Sequence, residues 1–401
     1  MAKYVKPASR RAVLNQRRQV KMARSTHAYV RGNTAQFYEW LAASPVAAAL
    51  PQGPSVWICG DCHLGNLGPL ADAEGRIAIQ IRDLDQTVIG NPAHDIVRLA
   101  LSLQTAVRGS DLPGVVSARM IEAMADAYEA AFLPDGDAEP ESDAVRMVRR
   151  RAMGRRWKHL ARERIDDADP TIPLGKKYWP ITVAERAGIE ALMQSPEVRR
   201  LALTAFHSPD DSDMTIHDAA YWRKGCSSLG LLRFAVLVGV RNGDGPETFG
   251  LIDIKEAVKT VAPSAKGRPP GKSIPRDDAG RVVAGARALS PYLGDRMVAA
   301  RLLGKSVIVR ELLPQDLKIE IEQFSRKEAI ASARYLAWVV GKAHARQMDA
   351  ATRAAWHATL AAGHRRQLDA PLWLWQAVVD LAAMHEAGYL EHCRIYALAA
   401  A

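Results

Sequence analysis

The stretch ICGDCHLGN, residues 58–66, contains two overlapping motifs that predict different chemistry. Residues 59–63 read C-x-x-C-H, a pattern that attaches haem covalently. Residues 60–66 read G-D-x-H-x-x-N, which places the carboxylate of Asp61 five residues before the amide of Asn66. The first motif indicates an electron carrier, whereas the oxygen atoms of the second suit a group-transfer site that uses Mg²⁺. The rest of the chain has to discriminate between them.

The cysteine content and the composition argue against haem and zinc. The chain has 401 residues, of which 48% are hydrophobic and 24% charged, as in soluble globular proteins. Cys226 and Cys393 stand alone, so the four cysteines form neither a disulfide framework nor a second zinc-ligand pair. The basic start lacks an apolar signal region, which predicts a cytoplasmic protein, and haem attachment normally occurs elsewhere. We therefore expect Cys59 and Cys62 to be small buried residues beside a functional loop.

The charge of the chain is strongly positive. The formal net charge is +10, and basic residues concentrate at the N-terminus and in residues 146–166. Such a surface could bind nucleic acid, but no aromatic ladder or known nucleic-acid module accompanies it, so a solvated helix face is favoured. The charge also suits a nucleotide-phosphate site. No membrane span is expected. The apolar stretch at residues 370–384 is too short to cross a bilayer, and Asp380 interrupts it.

Periodicity around the opening motif predicts strands that lead into carboxylates. Residues 54–61, PSVWICGD, form an apolar run that ends at Asp61. Residues 75–85, GRIAIQIRDLD, alternate in hydrophobicity and end in the D-x-D pair Asp83 and Asp85. We expect Asp95 to cap the helix that follows, and two or three further helices to about residue 205.

A different pattern begins near residue 213. A glycine-bounded loop opens residues 225–240, GCSSLGLLRFAVLVGV, and leads into an apolar strand. A turn-forming segment then precedes a returning strand that carries Lys255. We predict a helix over 278–290, a strand over 305–312 and helices from Ser325, where Glu328 completes a capping box. The segment GRPPGKS, residues 267–273, imitates a phosphate loop, but its spacing is one residue short and its prolines lack N–H donors.

The acidic and amide residues together meet the needs of phosphoryl transfer. That reaction needs a group that orients the acceptor hydroxyl, ligands for Mg²⁺ and a cation beside the nucleotide phosphates. Asp61 would orient the hydroxyl, and Asn66, Asp83 and Asp85 would bind Mg²⁺. For His63 two interpretations stay open, a structural histidine bonded to loop backbone, which we favour, and a catalytic group that transfers protons.

Two resemblances follow from these motifs. The stretch from Ile58 to Leu103 resembles the catalytic half of protein-kinase-like folds, especially aminoglycoside and choline kinases. In those folds the aspartate that matches Asp95 ties the next helix to the catalytic loop. The whole chain resembles the bacterial "domain of unknown function 2252" family. The segments that carry this resemblance are KMARSTHAYVRGN, GDCHLGNLG, IRDLDQT, GNPAHDIVRLALSL, IDIKEAV, RVVAGARAL, VIVRELLPQDLK and GKAHARQMD.

The kinase resemblance implies a circularly permuted, two-lobed α+β fold with a mainly helical large lobe and a small antiparallel-sheet lobe. Kinases run from glycine loop to lysine strand, hinge and catalytic loop, whereas here the catalytic loop comes first. Residues 1–212 and 315–401 would form the helical lobe, and residues 213–314 the nucleotide-binding lobe. The resemblance implies nucleotide contacts by the glycine loop, the strand lysine and a hinge at 310–314; these residues are Gly225, Ser227, Ser228, Gly230, Lys255, Glu311 and Leu313.

One position departs from the resemblance. Kinases pair the strand lysine with a helix glutamate, and Ala284 stands where that glutamate is expected. Either another acid replaces it, or the activity is weakened. We expect an ATP- and Mg²⁺-dependent phosphotransferase with an unknown small-molecule or protein acceptor. The alternatives are a nucleotide-binding pseudokinase that regulates a protein partner and an enzyme that transfers AMP.

Overall fold

The computed structural model describes residues 5–108, 112–134, 139–153, 155, 171–226, 228–243, 245–265, 274–312, 317, 324–363 and 371–396. The helices in these ranges are α1 (Pro7–Met22), α2 (Thr26–Gly32), α3 (Thr34–Ala43), α4 (Val46–Ala49), α5 (Ala93–Arg108), α6 (Gly114–Ala130), α7 (Asp143–Met153), α8 (Val183–Met193), α9 (Pro196–Ala205), α10 (Asp278–Leu289), α11 (Pro291–Gly294), α12 (Arg326–Ala345), α13 (Ala350–Ala362) and α14 (Leu372–Tyr396).

The strands form three antiparallel sheets in a mixed α/β architecture. They are β1 (Val56–Ile58), β2 (Leu67–Ala71), β3 (Ile77–Ile81), β4 (Val88–Gly90), β5 (Tyr178–Trp179), β6 (Asp213–Trp222), β7 (Arg233–Arg241), β8 (Thr248–Glu256), β9 (Met297–Leu302) and β10 (Lys305–Glu311). The largest sheet has the order β5-β6-β7-β8-β10-β9, whereas β1 pairs with β4 and β2 with β3.

The hydrophobic side chains are buried in separate cores beside these sheets. One core joins the small sheets to α5, α6, α12 and α14, where Phe37, Leu99 and Leu336 are fully buried. A second core lies against the six-stranded sheet and contains Leu14 of α1 and Val236 of β7. No helix among the ranges given above is long and apolar enough to cross a membrane.

The predicted elements are largely confirmed, and the differences have local causes. The strands that carry Lys255 and that precede Asp61 and Asp83 are present, as is the capping box of Ser325 and Glu328. Asp95 does not cap α5, which begins at Ala93; it lies in the first turn. Strand β6 escaped prediction because its first half is polar and a bulge interrupts its register between Ile216 and Asp218.

Candidate functional site

The loop after β1 is held in place by a buried carboxylate of α5. Asp95 accepts hydrogen bonds from the backbone N–H groups of Cys59 and Gly60 at 2.7 and 3.0 Å. On its other side, Nε2 of His344 lies 3.1 Å from Asp95 Oδ2, and Nδ1 of the same ring lies 3.0 Å from the hydroxyl of Tyr128. This network joins the loop to α5, α6 and α12, so the role inferred for Asp95 agrees with its contacts.

Gly60 lets the loop turn sharply before Asp61. Its φ is +74°, and a Cβ at this position would lie 2.2 Å from the carbonyl oxygen of Gln86. Any other residue would therefore force both a left-handed backbone and a clash. The turn places Asp61 beside the cavity described below.

Asp61 is paired with a fully buried arginine that sequence reasoning missed. Oδ1 of Asp61 accepts hydrogen bonds from Nε and Nη2 of Arg98 at 3.0 and 2.9 Å. Burial raises the pKa of Asp61 above its usual value, while the Arg98 guanidinium acts in the opposite direction. One carboxylate oxygen is thereby fixed, and the other, Oδ2, lies 3.8 Å from Nε2 of His63.

His63 and Asn66 complete the loop. Burial and the nearby Arg31 guanidinium lower the pKa of His63 well below its ordinary value, so the ring is neutral. Nδ1 of His63 is buried and has no hydrogen-bond partner among the residues described. The interpretation favoured from the sequence, a ring bonded to loop backbone, is therefore not met at this atom. The Nδ2 amide of Asn66 donates to the carbonyl of Asp61 at 3.0 Å, which leaves its Oδ1 as a ligand atom.

The D-x-D pair lies opposite this loop and contacts Lys255. Nζ of Lys255 lies 3.2 Å from Asp83 Oδ1 and also contacts Asp85 Oδ2. Partial burial opposes ionisation of Asp83, but Lys255, Arg310 and Arg233 together hold its pKa below the usual value. Burial and the charge of Asp83 raise the pKa of Asp85 to about 6. The Asp83 side chain is 42% exposed, against 16% for Asp85, so Asp83 presents the accessible carboxylate.

The acidic partners of Lys255 are therefore Asp83 and Asp85. Asp253 and Glu256 are engaged elsewhere, with Arg233 at 2.6 Å and with Lys305 at 3.4 Å. Ala284 packs against the core. The partner of Lys255 comes from the loop after β3 rather than from α10.

Helix α10 contributes an arginine to that loop. The guanidinium of Arg281 donates to the backbone carbonyls of Thr87, Asp85 and Val258, the last two at 3.1 and 2.8 Å. Gly285 packs directly on Thr87, because a Cβ there would lie 2.4 Å from its side chain. These contacts fix the backbone that carries Asp85.

The glycine-bounded turn connects β6 to β7. Gly225 and Gly230 have φ values of +106° and +96°, which L-residues with side chains rarely adopt. Lys21 of α1 donates to the carbonyl of Gly225 at 2.9 Å. Ser228 is buried, whereas the predicted contact Ser227 lies outside the described residues.

A cavity of about 510 Å³ brings most of the predicted residues together. Its lining includes Asp61, His63, Asn66, Asp83, Gly225 and Ser228. Lys255 adjoins the cavity through its contact with Asp83, and Asp85 contacts Lys255 in turn. The backbone of Gly230 instead lies close to Arg11.

Of the predicted hinge at 310–314, Arg310 lines this cavity, whereas Glu311 does not. The side chain of Glu311 lines a different cavity, of about 290 Å³, and lies 3.9 Å from Arg296. The hinge contact predicted for its backbone stays a prediction. Leu313 falls in a segment that the structure does not describe.

The cavity is strongly basic, which sequence reasoning did not locate. Its cationic lining residues are Lys21, Arg31, Arg82, Lys177, Arg223, Lys224, Arg233 and Arg310. Four of them, Lys21, Arg31, Arg82 and Arg310, occur inside the segments that carry the family resemblance. The sequence could have indicated these basic residues through their position in the family segments. The distribution of charge along the chain instead indicated the N-terminus and residues 146–166.

The donor set suits Mg²⁺ held jointly with phosphate. Within the described ranges no three His, Cys, Asp or Glu side chains form a metal-binding group. Mg²⁺ commonly takes only one or two protein carboxylates and completes its shell with water and substrate phosphate oxygens. Asp83 and Asn66 fit that pattern. Cys59 and Cys62 are buried free thiols, as predicted.

The fold and the cavity define a mixed α/β protein with carboxylates and cations around one polar pocket. The chain belongs to a bacterial family described as "Uncharacterized protein conserved in bacteria (DUF2252)", which matches residues 10–395. No curated protein and no solved structure matches the chain.

Proposed function

We propose that this protein is an ATP- and Mg²⁺-dependent phosphotransferase with a circularly permuted, two-lobed kinase-like fold. The observation that carries the proposal is the contact between Lys255 and Asp83, which are 172 residues apart; Asp83 lines the same cavity as Asp61 and Asn66. A phosphate-binding cation, a metal carboxylate and a hydroxyl-orienting carboxylate are the groups that phosphoryl transfer requires.

The order of elements in the large sheet supports the same proposal. The glycine-bounded turn joins β6 to β7, and Lys255 lies on β8, the next strand. Helix α10 separates β8 from β9, and β10 pairs with β8. In protein kinases the lysine likewise lies on a strand that follows the glycine-rich loop, and a helix follows that strand.

Each residue then has one role. Asp61 orients the acceptor hydroxyl, Lys255 binds the α- and β-phosphates, and Asp83 with Asn66 holds Mg²⁺. The acceptor oxygen forms a bond to the γ-phosphorus while the bond to the bridging β,γ-oxygen breaks. ADP leaves, and the hydroxyl proton passes to Asp61 and then to solvent. Mg²⁺ supplies charge neutralisation of the phosphates.

A nucleotide-binding pseudokinase is the second candidate. Ala284 favours it, because α10 offers no glutamate to Lys255. The contact with Asp85 favours catalysis instead, since it holds the lysine beside Asp83. Transfer of AMP would require ATP to bind in the same cavity in the opposite orientation. No contact among the described cavity residues favours that orientation.

Thermal unfolding with nucleotides tests the proposal. We expect ATP with Mg²⁺ to raise the melting temperature more than ATP with EDTA. Binding at a ligand concentration of 100 times Kd adds about 2.7 kcal/mol to the free energy of unfolding. Asp83→Asn should remove the Mg²⁺-dependent part, while Asp380→Asn, a charge change on the exposed face of α14, should retain it.

Product analysis separates the two candidates. Labelled ATP incubated with a panel of metabolites should give a phosphorylated product or slow hydrolysis. A protein that binds MgATP without either would be the pseudokinase. No thermal shift with any nucleotide up to millimolar concentration would refute both.

A further inference from the structure

The basic side chains that line the cavity outnumber the acidic ones. Eight basic side chains line it, against the carboxylates of Asp61 and Asp83. Arg233 and Arg310 share one buried acid, Asp253. The remaining cations include Lys21, Arg31, Lys177 and Arg223, for which no acid of the described chain lies within ion-pair distance. The surplus is therefore available to a ligand.

Arg31 places part of this positive charge beside the loop that carries Asp61. It lies in the last turn of α2, and its guanidinium packs on Gly65, where a Cβ would lie 2.5 Å from Nη2. Gly65 stands between His63 and Asn66, in the loop that Asp61 begins. The buried Nε of Arg31 has no hydrogen-bond partner among the described residues. Arg31 thus packs on the loop that carries Asp61 and lines the same cavity as that carboxylate.

The histidine His27 near Arg31 does not provide a counter-charge. Burial and the Arg31 guanidinium lower the pKa of His27 to about 4, so its ring is neutral near pH 7. Nδ1 of His63, a lining residue of the cavity, is buried and lacks a partner in the described part of the chain. A second polar atom is therefore unsatisfied beside the cavity.

We propose that the acceptor carries an anionic group, a phosphate monoester or a carboxylate, that Arg31 binds while Asp61 orients the hydroxyl. This inference rests on the proposed function, because it assigns Asp61 to the acceptor. Mg²⁺ cancels about half of the charge of a bound triphosphate, so the nucleotide alone leaves cations without partners. A positively charged acceptor would be repelled by Arg31, and a neutral one would leave the Arg31 guanidinium without a counter-charge.

A matched ligand series at constant ionic strength tests the proposal by calorimetry. Glycerol, glycerate, glycerol 3-phosphate and inorganic phosphate are titrated into the full chain, with and without saturating Mg²⁺ and a non-hydrolysable ATP analogue. The analogue fills the γ-phosphate position, so that inorganic phosphate reports on a second anion site. We expect the anions to bind at least about tenfold more tightly than glycerol, since hydrogen bonds to a charged group are stronger than those between neutral groups.

Two charge-removing variants identify the residue responsible. Arg31→Gln should weaken anion binding by about tenfold or more and leave the affinity for the ATP analogue unchanged. Arg24→Gln removes the same charge from a neighbouring exposed position that lines a different groove, and should bind the anions as wild type does. Arg31→Lys, which keeps the charge but loses the planar fork, should restore part of the affinity.

The outcomes separate this inference from the proposed function. Anion binding that depends on Arg31, without any binding of the ATP analogue, would support the anion site and refute the phosphotransferase. Binding of the analogue with no anion site, or with anion affinity equal in Arg31→Gln and Arg24→Gln, would overturn the inference and leave the phosphotransferase standing.

Discussion

Asp61 and Arg98 form a buried pair that serves both the fold and the proposed reaction. Arg98 is fully buried, and its Nη2 also donates to the carbonyl of Val30 at 2.7 Å. Removal of the Asp61 carboxylate would leave a guanidinium buried without its counter-charge, which typically costs about 3–5 kcal/mol. A test of catalysis at this position therefore needs a substitution that keeps an oxygen acceptor.

Asp61→Asn should abolish most turnover without weakening nucleotide binding. The amide oxygen still accepts from Arg98, but it can no longer take the hydroxyl proton, so we expect turnover to fall by about 10²-fold or more. The Kd for MgATP should stay within about twofold of wild type, because Asp61 does not hold the nucleotide. Calorimetry and a coupled ADP assay measure the two quantities.

The control for Asp61→Asn is Lys255→Met, which should weaken MgATP binding because a charged contact to phosphate is lost. Hydrolysis that survives Asp61→Asn undiminished would mean that Asp61 has another role, and that G-D-x-H-x-x-N is only a structural signature here.

Cys59 and Cys62 have a packing role. Both thiols are fully buried, and the hydrogen bond that Cys59 donates to Cys62, together with burial, raises the pKa of Cys59 well above the usual value. Protonated, buried thiols are poor metal ligands and poor nucleophiles. They fill space beside the loop that begins at Gly60.

Replacement of both Cys59 and Cys62 by alanine should leave the nucleotide-induced thermal shift intact. We expect a loss of about 1–2 kcal/mol in the free energy of unfolding, because two small buried side chains are shortened. Absorption spectra and metal analysis of the wild type should show neither haem nor stoichiometric zinc. A Soret band, or one tightly bound zinc per chain, would restore the C-x-x-C-H interpretation.

Asp95 is the point at which several elements meet. Its carboxylate satisfies two backbone N–H groups of the loop after β1 and the ring of His344 on α12. All of these groups are shielded from water. Because unsatisfied buried donors are costly, this single side chain sets the position of the loop relative to α5 and α12.

Asp95→Ala should cost about 3–5 kcal/mol of unfolding free energy, measured by urea denaturation, because several buried donors lose their acceptor at once. The matched control is Asp349→Ala. Asp349 caps α13 by accepting from the N–H of Thr352 in an exposed setting, so its loss should cost about 1 kcal/mol. Equal costs at the two positions would contradict the role given to Asp95.

Helix α1 links separate parts of the whole molecule. Leu14 packs in the core of the six-stranded sheet, while Lys21 reaches the glycine-bounded turn. Arg10 forms a buried ion pair with Glu185 of α8, and its guanidinium lies 4.4 Å from the ring centre of Tyr221. The N-terminal segment thus belongs to the cavity wall, although its sequence suggested only a basic surface.

Buried neutral histidines make the whole fold sensitive to acid. Burial lowers the pKa of His385 to about 3 and that of His27 to about 4, from an ordinary value of 6.5. Below pH 6.5 these two histidines bind protons in the unfolded chain but stay neutral in the folded chain. The stability contributed by these neutral rings is therefore complete above pH 6.5 and is lost as the pH falls toward the folded pKa values.

His385→Phe should reduce this acid sensitivity. The ring contact with Trp40, at 4.4 Å between centroids, can be kept by phenylalanine, while the titration is removed. We expect the slope of unfolding free energy against pH between 4 and 6 to decrease by up to about 1.4 kcal/mol per pH unit. The exposed His207→Asn variant is the control, and unchanged slopes in both would contradict the assignment.

The sequence by itself determined the family segments, the strands that end near Asp61 and Asp83, and the acidic and amide residues proposed for the site. Local signals suffice for these, because strand alternation, capping residues and glycine turns depend on neighbours only a few positions apart. The same signals failed where an element departs from its pattern, as in the polar and bulged β6.

Only the tertiary structure decided which charges meet. Arg98 pairs with Asp61 across 37 residues, and Lys255 pairs with Asp83 across 172, although Asp253 and Glu256 are its near neighbours in sequence. Alternation on β8 directs Glu256 to the face opposite Lys255. Asp253 lies on the same face as Lys255, but it pairs with Arg233 and Arg310, so sequence proximity could not supply the partner of Lys255. The basic cavity likewise arises from arginines and lysines on separate elements that only packing brings to one surface.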